Sequence, residues 1–121
     1  MMCDVALTVL IVDDHAGFRR AARALLGAEG FEVVGEAGDA AEALRQVATL
    51  RPQLVLLDIQ LPDIDGFALA ERLHAAPDRP AVILVSSRDA GEYGGRVETA
   101  PSRGFIPKSR LSGAAIRALV G

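Results

Sequence analysis

The chain alternates two hydrophobic periods, and that alternation leaves few folds open. Runs that are apolar at nearly every position come at Leu7–Val12, around Val33–Val34, at Leu54–Leu57, at Ala81–Val85 and briefly at Gly104–Ile106. A strand with one wet face would alternate apolar and polar residues. Continuous runs suit strands covered on both faces, as in a parallel sheet. Between the runs lie stripes at helical spacing: Phe18, Ala22, Leu25 and Leu26; then Ala40, Ala43, Leu44, Val47 and Leu50. Phe67, Ala70 and Leu73 form a third stripe, and Ala115, Ile116, Leu119 and Val120 the last.

The punctuation agrees. Gly27 and Gly30 are expected to close the first helix. Asp39 followed by Glu42 reads as a capping box for the second, with Pro52 after its end. Asp65-Gly66 opens the third and Pro77 ends it, while Ser112 can cap the last. The expectation is five strands alternating with five helices in a doubly wound α/β sandwich. The pattern alone leaves strand order open. Asp89–Arg103 is the weakest segment, because it holds Gly91, Gly94, Gly95 and Pro101. Each Gly costs about 1 kcal/mol of helix stability relative to Ala, so the fourth helix should be short or irregular and easily rearranged.

Composition narrows the function. The 121 residues suit one domain, and with half of them hydrophobic and 4% aromatic the core must be aliphatic. The net charge of -3 comes with scattered Lys and Arg, which argues against direct nucleic-acid binding. The single cysteine, Cys3, excludes a disulfide framework and a Cys/His metal cluster, and fits a reducing cytosol. No apolar run approaches the roughly 20 residues needed to span a membrane. No signal peptide is apparent after Met1 and Met2, so none is expected. A cytoplasmic location is expected.

In an open parallel sheet, ligands bind outside the carboxyl ends of the strands. Those ends carry Asp13, Asp14 and His15; then Asp58; then Ser86 and Ser87; then Lys108. Each has an ordinary reading when taken singly. Asp13 and Asp14 could cap a helix, Asp58 could be a turn residue, Lys108 a solvated charge, and His15 a helix-start residue. Glu36, Asp63 and Asp65 read as loop and cap residues. The joint occurrence, in this order, is what discriminates. Three carboxylates repel one another unless a cation sits among them, and hard oxygens suit Mg2+. A lysine and a hydroxyl would bind the free oxygens of a phosphoryl group. A carboxylate beside Mg2+ is a competent in-line nucleophile.

These motifs resemble the receiver domain of bacterial two-component response regulators. The resemblance runs from Val9 to Val120. It is carried by Val9–Asp14, by Leu54–Pro62, by Asp65-Gly66, by Val85-Ser86-Ser87 and by Gly104–Lys108. The ending Lys108–Ser112 is similar to the NarL/LuxR type, whose receivers usually precede a helix-turn-helix domain. The resemblance implies a flavodoxin-like (βα)5 fold with a five-stranded parallel sheet in the order 2-1-3-4-5. It implies one receiver domain over residues 1–121, with no effector domain in this chain. Asp58 matches the phosphoacceptor, Asp14 the direct Mg2+ ligand and Asp13 its companion. The backbone carbonyl of Gln60 would complete the metal's protein ligands. Ser86 matches the hydroxyl that turns toward the phosphoryl group, and Lys108 the lysine that pairs with one of its oxygens. Phe105 falls at the aromatic switch position, and Gln60 and Arg88 at positions that tune dephosphorylation. Two features depart from the pattern. Ser109 follows the lysine where the family often has a cis proline, and Phe105 lacks a hydroxyl, so its switch would be steric.

The implied function is phosphoryl transfer from a sensor histidine kinase to Asp58, followed by a change in the surface of the fourth helix, fifth strand and last helix. A downstream effector domain or protein, and a homodimer, are implied partners. The chain would promote only its own phosphorylation and hydrolysis, and so would not be an enzyme. The rival is a receiver-like interaction module that is never phosphorylated; the complete acidic set argues against it. A haloacid-dehalogenase-like phosphatase would carry a second Asp where Gln60 stands. A flavodoxin-type binder would lack the two acids after the first strand, which repel a flavin phosphate.

Overall fold

The structure is a computed structural model that describes residues 6–77 and 79–120. Met1, Met2 and Cys3, on which the leader and redox readings rest, lie outside the described residues. The elements run β1 (Thr8–Val12), α1 (Ala16–Ala28), β2 (Glu32–Ala37), α2 (Ala40–Leu50), β3 (Leu54–Asp58) and α3 (Gly66–Ala75). They continue with β4 (Ala81–Ser86), α4 (Arg96–Thr99), β5 (Gly104–Pro107) and α5 (Gly113–Val120). Short 3-10 turns precede α4 at Ala90–Tyr93 and follow β5 at Lys108–Arg110. The five strands are all parallel, in the order β2-β1-β3-β4-β5. This is the flavodoxin-like order that the resemblance implies.

The continuous apolar runs are the central strands. Every residue of β3 is buried, as is all of β1 and β4 beyond their first residues. Successive side chains point to opposite faces. Leu10, Val12, Val55, Leu57, Val82 and Leu84 meet Ala43 and Val47 of α2 and Leu69 and Leu73 of α3. Val9, Ile11, Leu54, Leu56, Ile83 and Val85 meet Ala22 and Leu26 of α1 and Ile116 of α5. Each fully buried Leu or Ile contributes about 1.5–3 kcal/mol relative to exposure.

Side-chain caps fix the helix starts. Asp39 accepts from Glu42 N at 2.8 Å, but Glu42 returns its bond to Gly38 N at 2.9 Å, one residue upstream of the expected capping-box partner. Asp63 adds a second cap, accepting from Ala40 N at 2.9 Å and Ala41 N at 3.0 Å. Asp65 caps α3 through Ala68 N at 2.8 Å, and Ser112 caps α5 through Ala115 N at 3.0 Å. One expectation fails. Gly27 does not close α1 but lies inside it; the chain leaves at Glu29 and Gly30, and Gly30 takes the positive φ of 92° that ends the turn.

The fourth helix is as irregular as its glycines suggest. A single turn of α4 follows the 3-10 turn, Gly94 between them has φ 62°, and no residue of either is buried. The Lys108–Arg110 turn contains no cis peptide, nor does any other described segment. No helix among the described residues is long and apolar enough to cross a membrane.

Candidate functional site

Sheet register brings the polar strand ends together. Val12 lies beside Leu57, Asp58 beside Val85, and Ser86 beside Pro107. Asp13, Asp58, Ser86 and Lys108 therefore emerge at one edge from four neighbouring strands. Beside this edge the start of α3 approaches the end of β3 closely. Gly66 N donates to Ile59 O at 2.6 Å, and a Cβ on Gly66 would stand 2.5 Å from Asp58 O and 2.6 Å from Ile59 Cα. Only glycine lets α3 dock this near to the residue that follows the strand end.

Asp13 and Asp58 are buried, while Asp14 reaches solvent. The Lys108 ammonium bridges the two buried carboxylates, 2.6 Å from Asp13 Oδ2 and 3.4 Å from Asp58 Oδ2. Asp13 Oδ2 receives no well-aligned hydrogen bond, so its contact with Lys108 is an ion pair rather than a directed bond. Asp58 Oδ1 accepts from Gln60 N at 3.1 Å, and Asp13 Oδ1 from His15 N at 2.8 Å. Burial raises the Asp58 carboxyl above its ordinary value; the Gln60 N–H opposes the rise, the Asp13 charge adds to it, and Lys108 offsets part. The phenyl ring of Phe18 lies under Lys108, with Nζ 4.5 Å from its centroid. Nearby, Arg23 and Arg19 hold Glu36 at 2.7 and 3.1 Å, and the Arg23 bond is the main cause of its lowered carboxyl pKa.

Carboxylate oxygens of Asp13, Asp14 and Asp58, with a ring nitrogen of His15, all lie within 4.8 Å of one another. His15 Nδ1 already lies 3.0 Å from Asp14 Oδ1 and 3.2 Å from Asp13 Oδ1. The three carboxylates are a hard-oxygen donor set, and one buried oxygen, Asp13 Oδ2, has no hydrogen-bond donor beyond its ion pair with Lys108. This set fits a small divalent cation.

Ser86 is fully buried, and its hydroxyl makes two bonds: it accepts from Arg88 N at 3.0 Å and pairs with the Tyr93 hydroxyl at 2.6 Å, where either oxygen can donate. Arg88 itself is exposed, as is Gln60. Phe105 stands on β5 opposite Leu84, half-buried in the cluster that also takes Tyr93 and Val97. The sequence reading missed two residues here. Phe18 was read only as part of a helical stripe. Tyr93 was not singled out, although it is the sole tyrosine of the chain and sits inside the glycine-rich segment.

Comparison with known proteins agrees with this geometry. The response regulator receiver domain matches residues 9–119. The transcription regulator BvgA of Bordetella pertussis is 34% identical over 100 residues, covering 83% of this chain and 48% of that protein. The chain spans about half the length of most of the first curated relatives it matches. The signal receiver domain of NarL from Mycobacterium tuberculosis superposes with a TM-score of 0.83 at 28% identity, covering 98% of this chain and 99% of that one. A chain of the CheX–CheY complex with BeF3 and Mg2+ from Borrelia burgdorferi gives a TM-score of 0.80 at 25% identity, covering 94% of this chain and 86% of that one. With this fold, this sheet edge and these matches, the chain belongs to the response regulator receiver family.

Proposed function

We propose that this chain is a phosphoacceptor switch in which Asp58 takes a phosphoryl group from the phosphohistidine of a sensor kinase. The observation that carries the reading is the Asp58 carboxylate, buried at the sheet edge with Lys108 Nζ 3.4 Å from its Oδ2. Oδ2 attacks phosphorus in line, the P–N bond breaks, and the imidazole leaves with the electron pair and takes a proton from solvent. Lys108 then holds a phosphoryl oxygen, and the Ser86 hydroxyl donates to another. Hydrolysis is the attack of water on the same phosphorus, which releases inorganic phosphate and restores the carboxylate. Asp13, Asp14 and Asp58, with the backbone carbonyl of Gln60, would hold Mg2+. Bound there, Mg2+ supplies positive charge against the phosphoryl oxygens.

Ser86 turning inward and Phe105 following it would change the surface of α4, β5 and α5. That is a shift between existing conformations. Gln60 and Arg88, both exposed, would tune hydrolysis. Similarity to the transcription regulator BvgA and to the DNA-binding transcriptional activator EvgA favours a DNA-binding output, with a homodimer or effector domain reading the surface. The test is intact-mass analysis after incubation with acetyl phosphate and Mg2+. One phosphoryl group should add to the wild type and none to Asp58→Ala. Absence of addition, or addition that survives the substitution, defeats the reading.

A further inference from the structure

We propose that Tyr93 is a positioning residue for the Ser86 hydroxyl, holding it toward the 90–99 segment until a phosphoryl group on Asp58 draws it away. The inference rests on the acceptor reading above and adds to it a residue which that reading does not use.

The hydroxyl of Ser86 has one proton and two lone pairs. One lone pair accepts from Arg88 N, and Tyr93 Oη, at 2.6 Å, takes either the proton or the second lone pair. Among the described residues Ser86 makes no hydrogen bond to either oxygen of Asp58. A phosphoryl oxygen is an acceptor, so to bind it the Ser86 hydroxyl must rotate toward Asp58, which carries its oxygen away from Tyr93 Oη whichever of the two donates. Turning there gives up the bond to Tyr93. The two partners therefore compete for one buried hydroxyl.

Tyr93 is built to transmit the outcome. Its ring meets Phe67 of α3 edge-on, with centroids 5.6 Å apart at 70°. The Arg96 guanidinium of α4 lies 4.3 Å from the Phe67 centroid and pairs with Asp65 Oδ2 at 3.0 Å. A single chain of contacts thus runs from Ser86 to the start of α3 and to α4. Room to move is present: Tyr93 and Arg96 line a cavity of about 450 Å3 under the Gln60–Asp65 loop. The backbone is free to follow, since Gly91, Gly94 and Gly95 flank the tyrosine and neither short helix buries a residue.

The test is a double-mutant cycle on beryllofluoride binding in the presence of Mg2+, read by calorimetry. Tyr93→Phe keeps the ring on Phe67 and removes only the hydroxyl. It should bind beryllofluoride about fivefold more tightly than the wild type, the factor set by one net hydrogen bond. In a Ser86→Ala background the same substitution should change nothing, which a purely structural role of the tyrosine would not produce. Amide hydrogen exchange across residues 90–99 should also be faster in Tyr93→Phe before any ligand is added. Affinity equal to or below wild type, or an equal gain in the Ser86→Ala background, overturns the proposal. Beryllofluoride binding by the wild type that Tyr93→Phe leaves unaltered overturns this inference while the acceptor reading stands; no binding by the wild type, with no phosphoryl uptake, removes both.

Discussion

Replacing Gly66 with alanine should invert the usual sign of a glycine-to-alanine change in a helix. That change ordinarily stabilises by about 0.5–1 kcal/mol, because the unfolded chain loses freedom. At Gly66 the added Cβ would stand 2.5 Å from Asp58 O and 2.6 Å from Ile59 Cα. Both are backbone atoms leading out of the fully buried strand β3, so neither can rotate aside. Relief requires a retreat of roughly 1 Å to ordinary van der Waals separation. Overpacking of that kind costs about 1–3 kcal/mol, and we expect a net loss near 2 kcal/mol. The internal control is Gly27, also helical, where a Cβ would meet nothing within 4 Å. Gly27→Ala should therefore gain about 0.5–1 kcal/mol. Urea denaturation of both variants, with unchanged slope, reads the two signs. The Gly66 substitution should also slow phosphoryl uptake, since the displaced backbone carries Asp58. Gly66→Ala at or above wild-type stability would refute the close-docking argument.

Three further outcomes follow from the site and the caps. Burial raises the Asp58 carboxyl, so its ionisation is harder in the folded chain than in the unfolded one. The resulting cost is absent in acid, where both states hold the proton, and grows as pH rises through the folded value. In metal-free buffer Asp58→Asn should then match the wild type in acid and exceed it in thermal stability at neutral pH; the opposite pH trend would contradict this. Lys108→Met removes the ammonium 2.6 Å from the buried Asp13 Oδ2. Breaking a buried pair this way costs about 3–5 kcal/mol, and because the lysine keeps some solvent contact we expect about 3 kcal/mol by denaturation, partly recovered on adding Mg2+. Asp39→Ala should cost about 1 kcal/mol through loss of the bond to Glu42 N, and a cost well above that would mean the Asp63 cap on Ala40 and Ala41 fails too.

The parts of the fold that were legible in the sequence are those that one local rule governs. Buried central strands read as continuous apolar runs, and Leu54–Leu57 is the clearest because β3 is covered on both faces. The edge strands were harder: β2 runs to Ala37, past the Val33–Val34 pair that signalled it, because only its last residue is buried. The placements of Asp13, Asp58, Ser86 and Lys108 were legible because each ends a strand or directly follows one. Sheet register then aligns them without help from any loop. Gly27 misled because an exposed helix position with no neighbour tolerates glycine, and the true exit needed the positive φ of Gly30. Tyr93 was invisible for a different reason. Its role rests on a contact with Ser86, and neither helical period nor strand-end position marks a residue in a 3-10 turn.

The unequal distribution of burial explains why signal should travel toward α4 rather than elsewhere. Asp13 and Asp58 are carried by β1 and β3, whose interior residues lie wholly inside the sandwich. Moving either strand would expose several side chains that each contribute about 1.5–3 kcal/mol, more than one phosphoryl contact can offset. Ser86 can instead rotate about its own side-chain bond at no cost to the sheet. Its partner Tyr93 sits in a turn without a buried residue, beside Gly94 at φ 62°. Displacing that turn sacrifices the Ser86 bond, one ring contact with Phe67 and little core. A perturbation worth only a few kcal/mol at Asp58 therefore finds its softest response in residues 90–99. The same glycines that make α4 a poor helix would make it the element that a phosphoryl group on Asp58, as proposed, moves most easily.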